Sequence, residues 1–149
     1  MLKRGLFHIA VVCAFILFFA VQVCAHCEIP CGIYDDEMRI AMINEHIATV
    51  EKSMNQITAL EKADHGHSNQ LVRWIMNKEH HADAIQEIVS QYFLTQRIKP
   101  DTKDYEKKLK ALHQMLIYSM KCKQTTEIDH VNTLKGLVED FQTLYFEKK

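Results

Sequence analysis

The residues best equipped for chemistry stand together at His26-Cys27-Glu28-Ile29-Pro30-Cys31-Gly32-Ile33-Tyr34. What precedes them decides what they can do. Lys3 and Arg4 lead into an apolar run from Ile9 to Val21 that closes on Val23-Cys24-Ala25, the pattern of a secretory signal peptide over residues 1–25, cut after Ala25. An uncleaved anchor is the alternative, but the run is short for a membrane span. Cleavage turns the His26 amide nitrogen into a free amine, whose unperturbed pKa of about 7.7 to 8.0 lets a metal ion displace its proton near neutrality. That amine, the Cys27 backbone nitrogen once a metal deprotonates it, and the Cys27 and Cys31 thiolates make an N2S2 donor set. Square-planar, nitrogen-rich coordination suits Cu(II) or Ni(II), whereas tetrahedral thiolate sets suit zinc. The His26 imidazole can reach the axial position, the donor a more oxidised metal recruits, so the site reads as a redox site. Pro30 fixes φ and Gly32 permits positive φ, which lets the chain turn tightly enough to bring Cys31 back to a metal held by Cys27. The plain alternative is a Cys27–Cys31 disulfide formed after export.

Other chemistries fall away. Four glycines and two prolines leave no G-x-G-x-x-G and no G-x-x-x-x-G-K-[ST] loop for phosphates. A carboxylate-bridged di-iron site needs two Glu-x-x-His units, and only Glu127-Ile128-Asp129-His130 occurs, a chance match. C-x-x-C-H and G-x-S-x-G are absent. Eighteen basic against 19 acidic residues give a net charge of −1, and loss of Lys3 and Arg4 with the leader makes it −3. Without a basic stripe there is no electrostatic reason to expect nucleic acid. Loss of the leader also removes Cys13 and Cys24 and leaves Cys27, Cys31 and Cys122, too few for a disulfide scaffold. Cys122, between Lys121 and Lys123, reads as a free thiol without a role. His46, His65, His67, His80, His81, His113 and His130 read as scattered surface or loop residues.

The elements that must position this segment are helical. Four stretches carry apolar residues three and four apart: Ile40, Ile43, Ile47, Val50, Met54, Ile57, Leu60; then Leu71, Ile75, Lys78, Ala82, Ile85, Val89, Tyr92; then Tyr105, Leu109, Leu112, Leu116, Met120; then Val131, Leu134, Val138, Phe141, Tyr145. Asp35 and Asp36 are placed to cap the first, and Ser68 the second; Lys78 interrupts the second stripe. Short connections between long helices predict an antiparallel up-and-down four-helix bundle over residues 35–149, with residues 26–34 as an irregular metal hook ahead of it.

The pattern H-C-x-x-P-C-G-x-Y at a newly made N-terminus resembles the nickel hook of the nickel-type superoxide dismutases. The four-helix length and order, the Arg73…Lys78-Glu79 stretch and Tyr92-Phe93 resemble that family more loosely. The resemblance implies disproportionation of superoxide to dioxygen and hydrogen peroxide, with one nickel ion per subunit cycling between Ni(II) and Ni(III). It assigns as ligands His26 (amine and axial imidazole), Cys27 (amide nitrogen and thiolate) and Cys31 (thiolate). It places Tyr34 along the substrate approach, with Tyr92 as a second tyrosine there. It implies a homohexamer, in which neighbouring subunits cover a hook too small to bury its own metal. The leader implies an exported protein, periplasmic or secreted, that keeps no membrane segment after cleavage. Two positions depart from the family pattern. Where a Glu of the first helix and an Arg of the second hold the axial imidazole, this chain has Met42 (Ala41 with a one-residue slip) and His81. Glu45, Asn44 or His81 takes over that support, or the imidazole is held more loosely. The non-enzymatic alternative is an exported helical protein that captures Ni(II) or Cu(II) without turnover. A third, structural reading makes the bundle an interaction module stapled by Cys27 and Cys31.

Overall fold

The computed structural model describes residues 29–63 and 66–147. Ile33 ends one compact unit and Tyr34 begins the other, the helical bundle. Four helices make up the bundle: α1 (Asp36–Glu61), α2 (Ser68–Glu87), α3 (Tyr105–Gln124) and α4 (Ile128–Phe146), with α2 running on through a π-helical segment, Ile88–Arg97. Helices adjacent in sequence pack together, and α4 closes the ring against α1. Their directions follow from side-chain pairs. Asp36 at the start of α1 meets Tyr145 at the end of α4, while Glu51 further along α1 meets Lys135 nearer the start of α4. Ser53 of α1 likewise meets Asn77 of α2, and Gln86 of α2 meets Leu116 of α3. The bundle is therefore up-and-down and antiparallel, as the short connections predict.

α1 begins where expected: the Asp35 carboxylate accepts from the Met38 N–H at 2.9 Å, with Asp36 and Glu37 complementing the helix dipole in the first turn. Its buried line of Ile40, Ile43, Ile47, Val50, Met54 and Ile57 is the sequence stripe, with Leu60 only half-buried. In α4, Val131, Leu134, Val138 and Phe141 are fully buried, again as the spacing requires.

Two expectations need correction. Ser68 does not cap α2: it is the first helical residue, and His67 at the cap position makes no side-chain capping bond. The third stripe is displaced. α3 buries Lys108, Ala111, Leu112, Met115, Ser119 and Cys122, whereas Leu109 and Leu116 are half-buried and Met120 is 43 % exposed. Counting large apolar letters overlooks a seam that includes alanine, serine and cysteine. Cys122 is a free thiol, as its place in the sequence suggests, and it is fully buried, which pushes its pKa up to about 11.

Lys78, the interruption in the second stripe, is buried for a reason of its own. Its Nζ donates to the Cys122 carbonyl at 2.8 Å and the Thr125 carbonyl at 3.3 Å, with a further bond to the Lys123 carbonyl, and Glu79 lies at 3.4 Å. The last carbonyls of a helix lack intrahelical donors and carry the negative end of its dipole. An ammonium from α2 caps α3.

Candidate active site

The segment just ahead of the bundle is a tight turn. The Ile33 N–H donates to the Pro30 carbonyl at 2.8 Å, and Gly32, third residue of the turn, has φ of 82°, where a side chain would be strained. The Ile29–Pro30 peptide is cis. Cys31 stands at the second position of the turn and is exposed. His26 and Cys27 lie outside the described residues. Among the described residues no group of three or more His, Cys, Asp or Glu side chains is placed to hold a metal. In the lone Glu-x-x-His match, at the start of α4, His130 Nε2 lies 3.3 Å from Glu127 Oε2.

The bundle brings the two candidate tyrosines together. Tyr34 and Tyr92 meet edge to face with ring centroids 5.9 Å apart. Tyr34 is 38 % exposed and Tyr92 only 4 %. Beneath them Asp36 accepts four hydrogen bonds: at Oδ1 from Tyr92 Oη (2.6 Å) and Arg97 Nε (2.8 Å), at Oδ2 from Tyr145 Oη (2.8 Å) and Arg97 Nη2 (2.6 Å). The guanidinium thus grips the carboxylate bidentately. It also stacks on Tyr34, 4.2 Å from the ring centroid, while the Arg39 guanidinium lies 5.0 Å from that of Tyr92.

The protonation states follow from this arrangement. Burial alone would raise the Asp36 pKa, but the bonds from Arg97, Tyr92 and Tyr145 and the charge of Arg97 together hold it below the ordinary carboxylate value. Burial, then the bond to this carboxylate, pushes Tyr92 up to about 12, and the same two causes raise Tyr145 to about 12. Both phenols therefore stay protonated as donors. The bond to Asp36 raises Arg97 still further above its usual value.

The π-helical segment explains how one carboxylate reaches both groups. Tyr92 and Arg97 are five residues apart, and at 3.6 residues per turn they would point about 140° apart. In the wider i→i+5 winding they come to the same side. The winding shows in side-chain bonds of that spacing, Thr95 Oγ1 to the Ser90 carbonyl at 2.8 Å and Gln96 Nε2 to the Gln91 carbonyl at 3.0 Å. Below Tyr92, Phe93 packs on Phe141 (5.1 Å) and Tyr145 (5.6 Å) and closes this end of the core.

The profile of the nickel-containing superoxide dismutases matches residues 21–149. The chain belongs to this family. No curated protein and no solved structure matches it. As a nickel-containing superoxide dismutase it is an oxidoreductase, with nickel as its cofactor and superoxide as its substrate. Among the described residues no helix is long and apolar enough to cross a membrane.

The sequence gives no sign that Asp36, Arg97 and Tyr145 meet. Asp36 reads as a helix-capping acid and Tyr145 as a core aromatic, and nothing in their spacing links them to Arg97. The histidines are less scattered than they look. His46 and His81 face each other with Nδ1 atoms 2.9 Å apart, and the His80 ring lies 5.5 Å from that of His81. Burial and the neighbouring imidazoles lower the pKa of both His46 and His81. Of the candidates for supporting the His26 imidazole, His81 thus has its Nδ1 engaged by His46, while Asn44 and Glu45 are exposed on α1.

Proposed function

We propose that the chain, once residues 1–25 are removed, disproportionates superoxide at a nickel ion held by His26, Cys27 and Cys31, with Tyr34 and Tyr92 flanking the approach. The support is the donor chemistry of H-C-x-x-P-C-G-x-Y together with the exposed place of Cys31 on a tight turn. Nickel bound there supplies one-electron exchange between its +2 and +3 states, which oxidises one superoxide to dioxygen and reduces the next, with two protons, to hydrogen peroxide.

The chain's own residues have three tasks. The His26 amine, the Cys27 amidate and the two thiolates bind the ion, and their anionic charge favours its higher oxidation state. Tyr34, half in solvent, holds a proton at Oη where water can restore it. Tyr92 keeps its own proton, donating it in a hydrogen bond to Asp36, and serves as a fixed edge against which the Tyr34 ring sits. The observation that carries the reading is this pairing: the tyrosine three positions after Cys31 is held by residues from the far end of α2. By resemblance to the family the reading includes a homohexamer, whose neighbouring subunits would cover the short hook, and it includes export directed by the leader.

The test is the mass of the mature protein with its metal. A chain starting at His26 with one nickel supports the reading. Active enzyme starting elsewhere, or Cys31→Ser enzyme with undiminished turnover, overturns it.

A further inference from the structure

His46 of α1 and His81 of α2 face each other across the seam of two antiparallel helices, both half-buried, with ring centroids 5.0 Å apart. As a hydrogen bond, their Nδ1 contact needs one ring to carry its proton at Nδ1 and the other to offer a lone pair. The same spacing serves a second purpose. Two imidazole nitrogens at a bond length of about 2.05 Å from one ion subtend about 90° when they are 2.9 Å apart. That is the angle between neighbouring positions of a square-planar or octahedral complex, whereas tetrahedral coordination would require about 3.3 Å.

We propose that His46 and His81 form a second metal site, using none of the N-terminal donors, in which their Nδ1 atoms take adjacent positions on a divalent, imidazole-seeking ion such as Ni(II) and water completes the coordination. The backbone around the pair is already fixed. Ile43 and Ile47 on α1 and Ala82 and Ile85 on α2 are buried on either side of it, and the Asn77–Ser53 bond at 3.0 Å ties the seam about two turns along α1 and one along α2. The rings therefore need only turn towards a common point. Both must present Nδ1 lone pairs, so the ring protonated there shifts that proton to its own Nε2, with no net change of charge. Burial first, and then neighbouring imidazole charge (His81 and His80 acting on His46, His80 acting on His81), lowers both pKa values below the ordinary 6.5 and favours the neutral rings a metal requires. The Glu45 carboxylate acts electrostatically on both rings and favours a cation between them, whereas His80 opposes it when protonated. With two protein ligands and the rest water, the ion is exchangeable, unlike one enclosed by four protein donors.

Titration calorimetry of the nickel-loaded enzyme with further Ni(II) at pH 7.5 tests this, since the N-terminal donors are then already filled. We expect one additional equivalent per chain in the micromolar range, lost in His46→Gln and in His81→Gln and kept in His130→Gln. With 15N-labelled histidine, the added ion should broaden the Nδ1 resonances of His46 and His81 ahead of those of other histidines. Absence of a second binding event, or one that survives both substitutions, overturns the proposal. Circular dichroism shows whether each variant is folded, and an unfolded Gln variant is replaced by His46→Asn or His81→Asn. The first equivalent of nickel reports separately on the N-terminal site, so failure of one reading does not mimic failure of the other.

Discussion

Tyr92 and Arg97, five positions apart on one helix, both donate to Oδ1 of Asp36, at 2.6 and 2.8 Å. An α-helical continuation of α2 would deny one of them that contact, so the π-helical winding and the tyrosine pair are one feature. Asp36→Asn tests their dependence. The amide keeps the shape but loses the charge that makes the Arg97 bonds strong, and one oxygen acceptor becomes a donor facing donors. Because carboxylate and guanidinium are both partly open to water, the expected loss is about 2 kcal/mol rather than the full cost of a buried pair. The Tyr92 phenol should also titrate closer to the ordinary tyrosine value, remaining above it because burial persists. Chemical denaturation and a spectrophotometric phenol titration check both.

Tyr34 and Tyr92 should separate by effect. Tyr92→Phe removes one of the four donors to Asp36 and is expected to cost about 1 kcal/mol. Tyr34→Phe deletes a hydroxyl on a half-exposed ring, so stability should change by less than about 0.5 kcal/mol. Its dismutation rate, under the proposed role, should fall about ten-fold, below the usual range for a lost acid because water substitutes in part. Pulse radiolysis over a range of pH measures the rate, and an unchanged profile would remove Tyr34 from the chemistry.

Much of this was legible in the sequence, and the exceptions share a cause. α1 and α4 bury large aliphatic and aromatic side chains at helical spacing, so their inner faces can be read directly. α3 buries Ala111, Ser119, Cys122 and the stem of Lys108, residues whose types say little about burial, and its face was misplaced. Asp36, Arg97 and Tyr145 come from three different helices, and their meeting requires a winding that no periodicity announces. His46 and His81 likewise acquire meaning only from helix pairing.

Acid should destabilise the bundle in two stages. His46 and His81 have folded-state pKa values below the ordinary 6.5, so the unfolded chain takes up protons first as pH falls. Their contribution is full above that value and is lost between it and the lower folded values. Asp36, lowered from 3.8, adds a second loss as pH falls from its unfolded towards its folded value. Melting temperatures of the wild type should therefore begin to decline near pH 6.5, and His46→Gln should flatten this first stage while leaving the second.

Lys78→Met retains the buried stem but removes the donor to the end of α3. The Cys122 and Thr125 carbonyls lose their partner, and the expected cost is about 2 to 3 kcal/mol. A lower urea midpoint with an unchanged slope is the anticipated result. Lys78→Arg should not rescue fully, since a planar guanidinium must replace a compact ammonium among converging carbonyls.

The amine donor gives the most exacting prediction. A backbone amide nitrogen ligates only after losing a proton that is far harder to remove than that of an ammonium with pKa near 8. A chain carrying one extra residue ahead of His26 still has both thiols and the same imidazole, yet its His26 nitrogen is an amide and its new amine is displaced from the donor set. It is expected to fold like the mature protein, since the bundle begins at Tyr34. Nickel affinity and turnover should both collapse, by at least the ~10- to 100-fold that loss of an outer-shell partner of a metal ligand costs. His26→Ala separates the two nitrogens of that residue. It keeps the amine, so under the proposed ligand set nickel should be retained, whereas loss of the imidazole should remove most of the turnover. Metal analysis beside the dismutation assay distinguishes the two variants: one empty and inactive, the other loaded and slow. Full activity in the extended chain would show that the metal takes its donors from elsewhere.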